Sequence, residues 1–391
     1  MARPLDGISV VDLSAEIAGP YCGMLLADMG ADVIVVEPVG DNQERDNPAF
    51  HQWHRGQRSL TLDLEQDKGR SLLGRLLEGA DVLLESLPPS RAAALGLSYE
   101  GLAARNRRLV YGAIPPWGDG GPLAERPADD AVIAAYSGIH GDQGGVGKPP
   151  AYTVMPIPSY SAAFHTAYGI CAALYVREMT GEGQKVEVPL LNAALSFQSG
   201  GFLDLPDRPA PVPKGRWEQP GYAPVYRLYR CADGKWIFAA CGHAEFWNKL
   251  CLALDRVDLL SDPRFANAPW AIAAEDDNRA ALIAELTARY ATKPADEWLR
   301  ILEEGDVPAG PVMALGDMYA DPQVLHNGMV VEIADPALGP TQQLGTPVHL
   351  FGTPGGPRGP APRQGQHTAE VLASLGYTGG EIAGLRQQRV V

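Results

Sequence analysis

The chain has 391 residues, 46% of them hydrophobic, which is enough for one large core and a smaller one beside it. Its 47 acidic residues against 32 basic ones give a net charge of -15. That balance argues against nucleic acid or an anionic membrane surface as partner, because phosphates must be met by clustered Lys and Arg, so a phosphate-bearing ligand needs a local pocket. The opening MARPLDGISVVDLS lacks the basic segment, apolar run and small-residue site of a secretory leader. No apolar run reaches membrane-spanning length either, and a cytoplasmic protein without a membrane partner is expected. The cysteines (Cys22, Cys171, Cys231, Cys241, Cys251) form no C-x-x-C pair and are expected to be buried free thiols, with no metal site.

In chain order, Ile8 to Leu13 is a short apolar run, followed by a small-residue loop, a helical pattern from Pro20 to Met29 and a second apolar run from Asp32 to Glu37. The alternation continues with a strand at Ser59 to Leu64, a helix from Asp67 to Glu78, and strands at Asp81 to Glu85 and Leu109 to Ile114. Strands alternating with helices predict an α/β protein with a mainly parallel sheet. Trp117 to Pro158 is rich in Gly and Pro and reads as a long irregular loop. Small and apolar residues at helical spacing predict a helix from Ser159 to Tyr175, and VEVPLL after it is a strand candidate.

A Pro-rich link at Pro206 to Pro213 marks a boundary. Beyond it, an aromatic strand pair around Asp233 and Gly234, two or three helices between Glu245 and Glu304 and a β-rich return after Pro308 read as a smaller α+β domain. The segments divide as 1–205, the N-terminal part of a large domain; 220–330, the small domain; and 331–391, a return to the large one.

The turn AEIAGPYCG, Ala15 to Gly23, follows the first strand, and ligands of a parallel sheet bind at such carboxyl-end loops. Pro20 suits the first helical position, and Gly19 lets the backbone approach a phosphate closely. A dinucleotide-binding dehydrogenase, with Glu37 on a ribose, is the rival, but Gly19 and Gly23 alone do not make G-x-G-x-x-G.

PLDGISVVDLS, AGPYCGMLLADMGADVIVVEP, HRGQRSLTLDL, ADVLLESLPP, ALGLSYEGL, RLVYGAIPPWGDGGP, LYVREMTGEGQKVEVPLLNAAL, YRCADGKWIFAA, EWLRILEEGDVPAGPV and GQHTAEVLASLGY resemble, in order and spacing, the class III CoA-transferases of the CaiB/BaiF type. The resemblance covers essentially the whole chain, and its relatives include formyl-CoA transferases and α-methylacyl-CoA racemases. It implies a Rossmann-like large domain built from both chain ends plus a smaller α+β domain, in an interlocked dimer. It also implies CoA or acyl-CoA as substrate rather than as a permanently bound cofactor, with a small carboxylic acid as the second partner.

Transferases of this family carry an aspartate before the TGxGQ turn, and here that position is Ser159. A carboxylate serves because its anhydride and thioester intermediates remain as activated as the substrate thioester, whereas a serine ester would trap the acyl group. His165, the nearest base in sequence, lies where a helix turns it away from Ser159. The bland reading of Ser159 is a helix N-cap. The racemase histidine position is Asp129; Asp129 or Asp130 is a candidate relocated carboxylate or base, against a purely structural role.

By the resemblance, Ile17, Ala18, Gly19, Pro20, Arg58, Ser86 and Leu87 hold CoA. Several usual anchors are altered, to Val35, His54, Gln57, Ser86 and Ala94, while Arg55 and Arg58 remain; Arg58 has an ion-pair partner as its alternative role. The glycine-rich flap of formyl-CoA transferases is PKGRWEQPGY here, with Gly215 and Gly221 around Trp217. Three functions follow: CoA transfer between an acyl-CoA and a carboxylic acid without the usual aspartate, a regulatory subunit of a heteromer with a catalytic relative, or an acyl-CoA lyase or isomerase using Asp129 or Asp130.

Overall fold

The apolar run after Ile8 forms strand β1 (Ser9–Asp12), followed by β2 (Asp32–Glu37), β3 (Arg58–Thr61), β4 (Val82–Glu85), β5 (Val110–Ala113) and β6 (Lys185–Glu187). All pairings are parallel, in the order β3-β2-β1-β4-β5-β6. The chain winds outward from β1 to β3 and then resumes on the other side of β1, so the crossovers diverge between β1 and β4. That reversal opens a crevice beyond the carboxyl ends of these two strands. The structure is a computed structural model describing residues 2–143, 149–199, 206, 220, 221, 223–270, 272 and 275–391. Most of the Pro206 to Pro213 link, and Gly215 and Trp217 of the flap segment, lie outside the described residues.

Every residue of β4 is buried, as a central strand covered on both faces requires. On one face, helix Asp67–Glu78 buries Leu72, Leu73, Leu76 and Leu77, the spacing of one helical stripe, in a core shared with Val11, Ile34, Leu60, Leu83 and Tyr111. Val371, Leu372, Ile382, Val390 and Val391 fill the same core, and the Val390 carbonyl accepts the Asp63 N–H at 2.8 Å. The large unit is therefore built from both chain ends. On the other face lie helix Ala18–Asp28 and the long helix Ile157–Thr180, which meet through Tyr21, edge-on to Tyr160 at 5.1 Å and to Phe164 at 5.6 Å.

Three local expectations change. The stretch Trp117 to Pro158 contains helices Asp130–Tyr136 and Ile139–Gln143; the Asp129 side chain caps the first by accepting the Val132 N–H at 2.9 Å, and Ile133 and Ala134 bury its inner side. The VEVPLL strand stops at Glu187, because Pro189 starts helix Leu190–Ser196. The long helix begins at Ile157 with Pro156 as N-cap, so Ser159 is its third residue and not its cap.

Contacts divide the chain into a first unit of residues 1–138, 154–202 and 319–391 and a second of 139–153 and 203–318. In the second, β7 (Tyr226–Arg230) and β8 (Trp236–Ala240) pair antiparallel across the Asp233–Gly234 turn, where Gly234 takes a φ of 81°, and β9 (Ala309–Pro311) joins β8. Helices Ala244–Ala253, Asp258–Ser261, Asp276–Tyr290 and Ala295–Glu304 complete this α+β unit. Its core stacks Tyr229 on Tyr290 at 4.7 Å, and Trp298 donates its indole N–H to the Tyr290 carbonyl at 2.8 Å. The first unit closes with the antiparallel pair β10 (Val330–Asp335) and β11 (Gly339–Leu344).

All five cysteines are free; Cys22, Cys231, Cys241 and Cys251 are buried, whereas Cys171, on the long helix, is exposed. Among the described residues no helix is long and apolar enough to cross a membrane.

Candidate active site

At the end of β1, Asp12 is fully buried; its Oδ1 accepts the Ser14 N–H at 2.8 Å and the Ser14 hydroxyl, and its Oδ2 has no hydrogen-bond partner. Burial pushes this carboxyl up to about 7, although the two Ser14 bonds pull the other way. Ser14 in turn lies against the first turn of helix Ala18–Asp28. A Cβ on Gly19 would fall 2.0 Å from that of Ser14, so only glycine lets the helix start here. Pro20 is the third helical residue rather than the first, but its missing N–H is one that has no intrahelical acceptor in any case.

The crevice between the β1 and β4 loops holds a cleft of about 210 Å³. Ala15, Glu16 and Ala18 line it after β1, Ser86 after β4 and Ile114 after β5, with Arg126 and Ser159 from the later loop and the long helix. Ser86 ties two of these loops together by accepting the Ala15 N–H at 2.9 Å. Trp117 anchors the Arg126 loop, donating its indole N–H to the Arg126 carbonyl at 2.8 Å.

Glu16 was not among the residues expected at the site, and neither was Arg126. Glu16 has a left-handed backbone, φ 67°, which costs a residue with a Cβ about 1 kcal/mol. Its N–H donates to Glu44 Oε1 at 3.1 Å. Burial, followed by the charges of Asp129, Glu44 and Asp130, raises its carboxyl above the usual range. The one sequence signal for either residue is a charged side chain set among small ones in a carboxyl-end or Gly/Pro-rich loop.

Ser159 is 3% exposed, and its N–H, one of the free donors of the helix's first turn, donates to Asp130 Oδ1 at 2.7 Å. Asp130 thus holds the start of the long helix, and Asp129 caps the helix that Asp130 begins. Neither carboxylate lines the cleft. His165 bonds through Nδ1 to the Ser161 carbonyl at 2.7 Å, and its Nε2 approaches Ser196 Oγ at 3.5 Å, so its ring is occupied away from Ser159.

Of the residues expected to hold CoA, Ala18 and Ser86 line the cleft; Ile17, Gly19 and Pro20 form the helix start beside it, and Leu87 packs on the core with its N–H on Glu85 Oε2 at 2.6 Å. Arg58 lies at the amino end of β3, the opposite edge of the sheet, paired with Asp32 and with Glu370 at 3.2 Å. Arg55 is fully buried, paired with Asp28 at 2.5 Å and bonded to the Leu344 carbonyl. His54 is buried against Phe50 and Gln57, and burial pushes its imidazole down to about 4, keeping it neutral. Glu37, the ribose ligand of the dehydrogenase alternative, is taken up by Arg45 at 2.7 Å, Asn42 at 2.9 Å and Ser59; burial opposes these bonds, but together they hold its carboxyl below the usual range.

A doubly wound sheet with a cleft at its switch point defines a broad class of α/β proteins. Comparison with known proteins narrows it. A sequence model of CoA-transferase family III matches residues 5–368, and the chain belongs to that family. It is 30% identical to succinyl-CoA–D-citramalate CoA-transferase of Chloroflexus aurantiacus, over 100% of this chain and 98% of that protein. It is 33% identical to succinyl-CoA:mesaconate CoA-transferase of Haloarcula hispanica, over 95% of this chain and 96% of that one. The crystal structure of a CaiB/BaiF family protein from Brucella suis superposes with a TM-score of 0.84 at 31% identity, covering 96% of this chain and 100% of that one.

Proposed function

We propose that this chain moves CoA between an acyl-CoA and a small carboxylic acid in the cleft above β1, β4 and β5, as a cytoplasmic enzyme with Ser159 in place of the family aspartate. The observation that carries the reading is the cleft itself, at the switch point of the sheet, with polar groups from the β1 loop, the β4 loop and the long helix converging on it. CoA enters and leaves as part of the substrates, with its phosphates over the start of helix Ala18–Asp28, where free N–H groups and the helix dipole favour anions. Ser159 carries no acyl group in this reading. An oxygen ester is a thermodynamic trap, and His165, the nearest imidazole in sequence, is bonded to the Ser161 carbonyl rather than to Ser159.

The acyl group we assign is that of a dicarboxylic acid. Among the described residues, Arg126 is the one cation lining the cleft and forms no ion pair, so it suits the remote carboxylate of such a group. Relatives named for succinyl-CoA are consistent with that choice. The chain is proposed to act as a homodimer, supported by the exposed stripe of Phe164, Tyr168, Tyr175 and Met179 along the long helix. Purified protein incubated with succinyl-CoA and a panel of mono- and dicarboxylic acids should form new CoA esters detectable by liquid chromatography and mass spectrometry. Arg126→Ala should raise KM for the dicarboxylic partners more than for the monocarboxylic ones. Absence of any exchange across the panel would sink the reading.

One observation favours a second reading, a subunit that pairs with a catalytic relative: the family's catalytic position offers a hydroxyl in place of a carboxylate, with His165 turned to the Ser161 carbonyl. Turnover by the chain alone at enzymatic rates rules that out. A lyase or isomerase using Asp129 or Asp130 is less well supported, because neither carboxylate lines the cleft and each accepts the N–H of a helix start. Solvent deuterium entering the acyl group without CoA exchange would revive it.

A further inference from the structure

We infer that Glu16 supplies the acyl-carrying carboxylate that position 159 lacks. The inference rests on the CoA-transfer reading above and names the residue that performs it. Among the described residues lining the cleft, Glu16 is the one carboxylate. It shares the cleft with Ser159 but comes from the β1 loop rather than from the long helix. Asp129 and Asp130 stay outside the lining, holding helix starts.

Two further features fit the role. The left-handed backbone at residue 16 would suit glycine or asparagine better, so a glutamate is kept there against the local conformational preference. Glu44 accepts the Glu16 N–H and pins the turn that carries the side chain.

The chemistry balances in four steps. The Glu16 carboxylate attacks the acyl-CoA carbonyl carbon; a C–O bond forms, the C–S bond breaks, and CoA thiolate leaves behind an acyl-glutamyl anhydride. The thiolate then attacks the glutamyl carbonyl, giving a glutamyl-CoA thioester and releasing the donor acid as its carboxylate. The acceptor carboxylate attacks this thioester to form a second anhydride and free thiolate. Finally the thiolate attacks the acceptor's carbonyl, releasing the new CoA ester and restoring the Glu16 carboxylate. No proton is transferred and no co-reactant is consumed. Arg126, in the same cleft, orients the acid while it waits to attack.

The test is to mix the full chain with succinyl-CoA, quench with hydroxylamine and map the protein by peptide mass spectrometry, in parallel with CoA-exchange assays of the wild type, Glu16→Gln and Glu16→Asp. A glutamyl hydroxamate at residue 16, and a loss of about 1,000-fold or more in kcat for Glu16→Gln with partial recovery in Glu16→Asp, are expected. The hydroxamate is read on wild-type protein, so it stands whether or not the variants fold. Exchange by the wild type with no label at residue 16, or retained by Glu16→Gln, overturns the inference and leaves CoA transfer intact. Absence of exchange with every acid tried overturns the transfer reading, and the inference with it.

Discussion

Replacing Asp12 by asparagine should tilt the pH dependence of stability in a direction that can be worked out from two buried groups. The Asp12 carboxyl is raised from 3.8 to about 7, so the folded chain holds a proton there that the unfolded chain has released. Its contribution is fully present below the unfolded value and is lost as pH rises through about 7. At about 1.4 kcal/mol per pH unit, that gap is worth about 4 kcal/mol. His54 works in the opposite sense, because its imidazole is lowered from 6.5 to about 4. Its contribution is present above the unfolded value and fades as pH falls through about 4, and the gap is worth about 3 kcal/mol. Between about pH 4 and 6.5 the two slopes nearly cancel in the wild type. Asparagine keeps the shape and still accepts from Ser14, but it does not titrate, so the variant should gain stability with rising pH across that window. Urea titrations followed by hydrogen exchange of the peptide carrying β1 report the first unit by itself. A variant whose profile stays parallel to that of the wild type would refute the assignment of the proton to Asp12.

Ser159→Asp should create a second acyl-accepting carboxylate in the cleft and restore CoA exchange in the Glu16→Gln background, with a hydroxylamine-trapped label moving to residue 159; a doubly substituted chain that folds but stays inactive contradicts the shared cleft. Arg55→Ala removes the partner of a buried carboxylate, since Asp28 is 2% exposed. It should cost about 3–5 kcal/mol of stability, measured by chemical denaturation. A loss below about 1 kcal/mol would show that the pair is not isolated from water.

The sequence alone determined the parallel α/β sheet, because short apolar runs alternate with helical stripes such as Leu72, Leu73, Leu76 and Leu77, and these periodicities are local. It also carried the family, through motifs spread along the whole chain. It did not reveal that Arg55 pairs with Asp28 inside the protein, and it left Arg58 open between a CoA anchor and an ion-pair partner; the structure puts Arg58 at the amino edge of the sheet with Asp32 and Glu370. Nor did it reveal the helix in the Gly/Pro-rich stretch, where a single capping bond from Asp129 and the burial of Ile133 outweigh composition. The cleft was decided only by the tertiary structure. Glu16, Ser86, Arg126 and Ser159 come from four separate segments, and only the reversal of strand order between β1 and β4 brings those segments to one place. Local pattern encodes which elements form; which side chains share a site depends on how the elements cross, and no short stretch of sequence contains that.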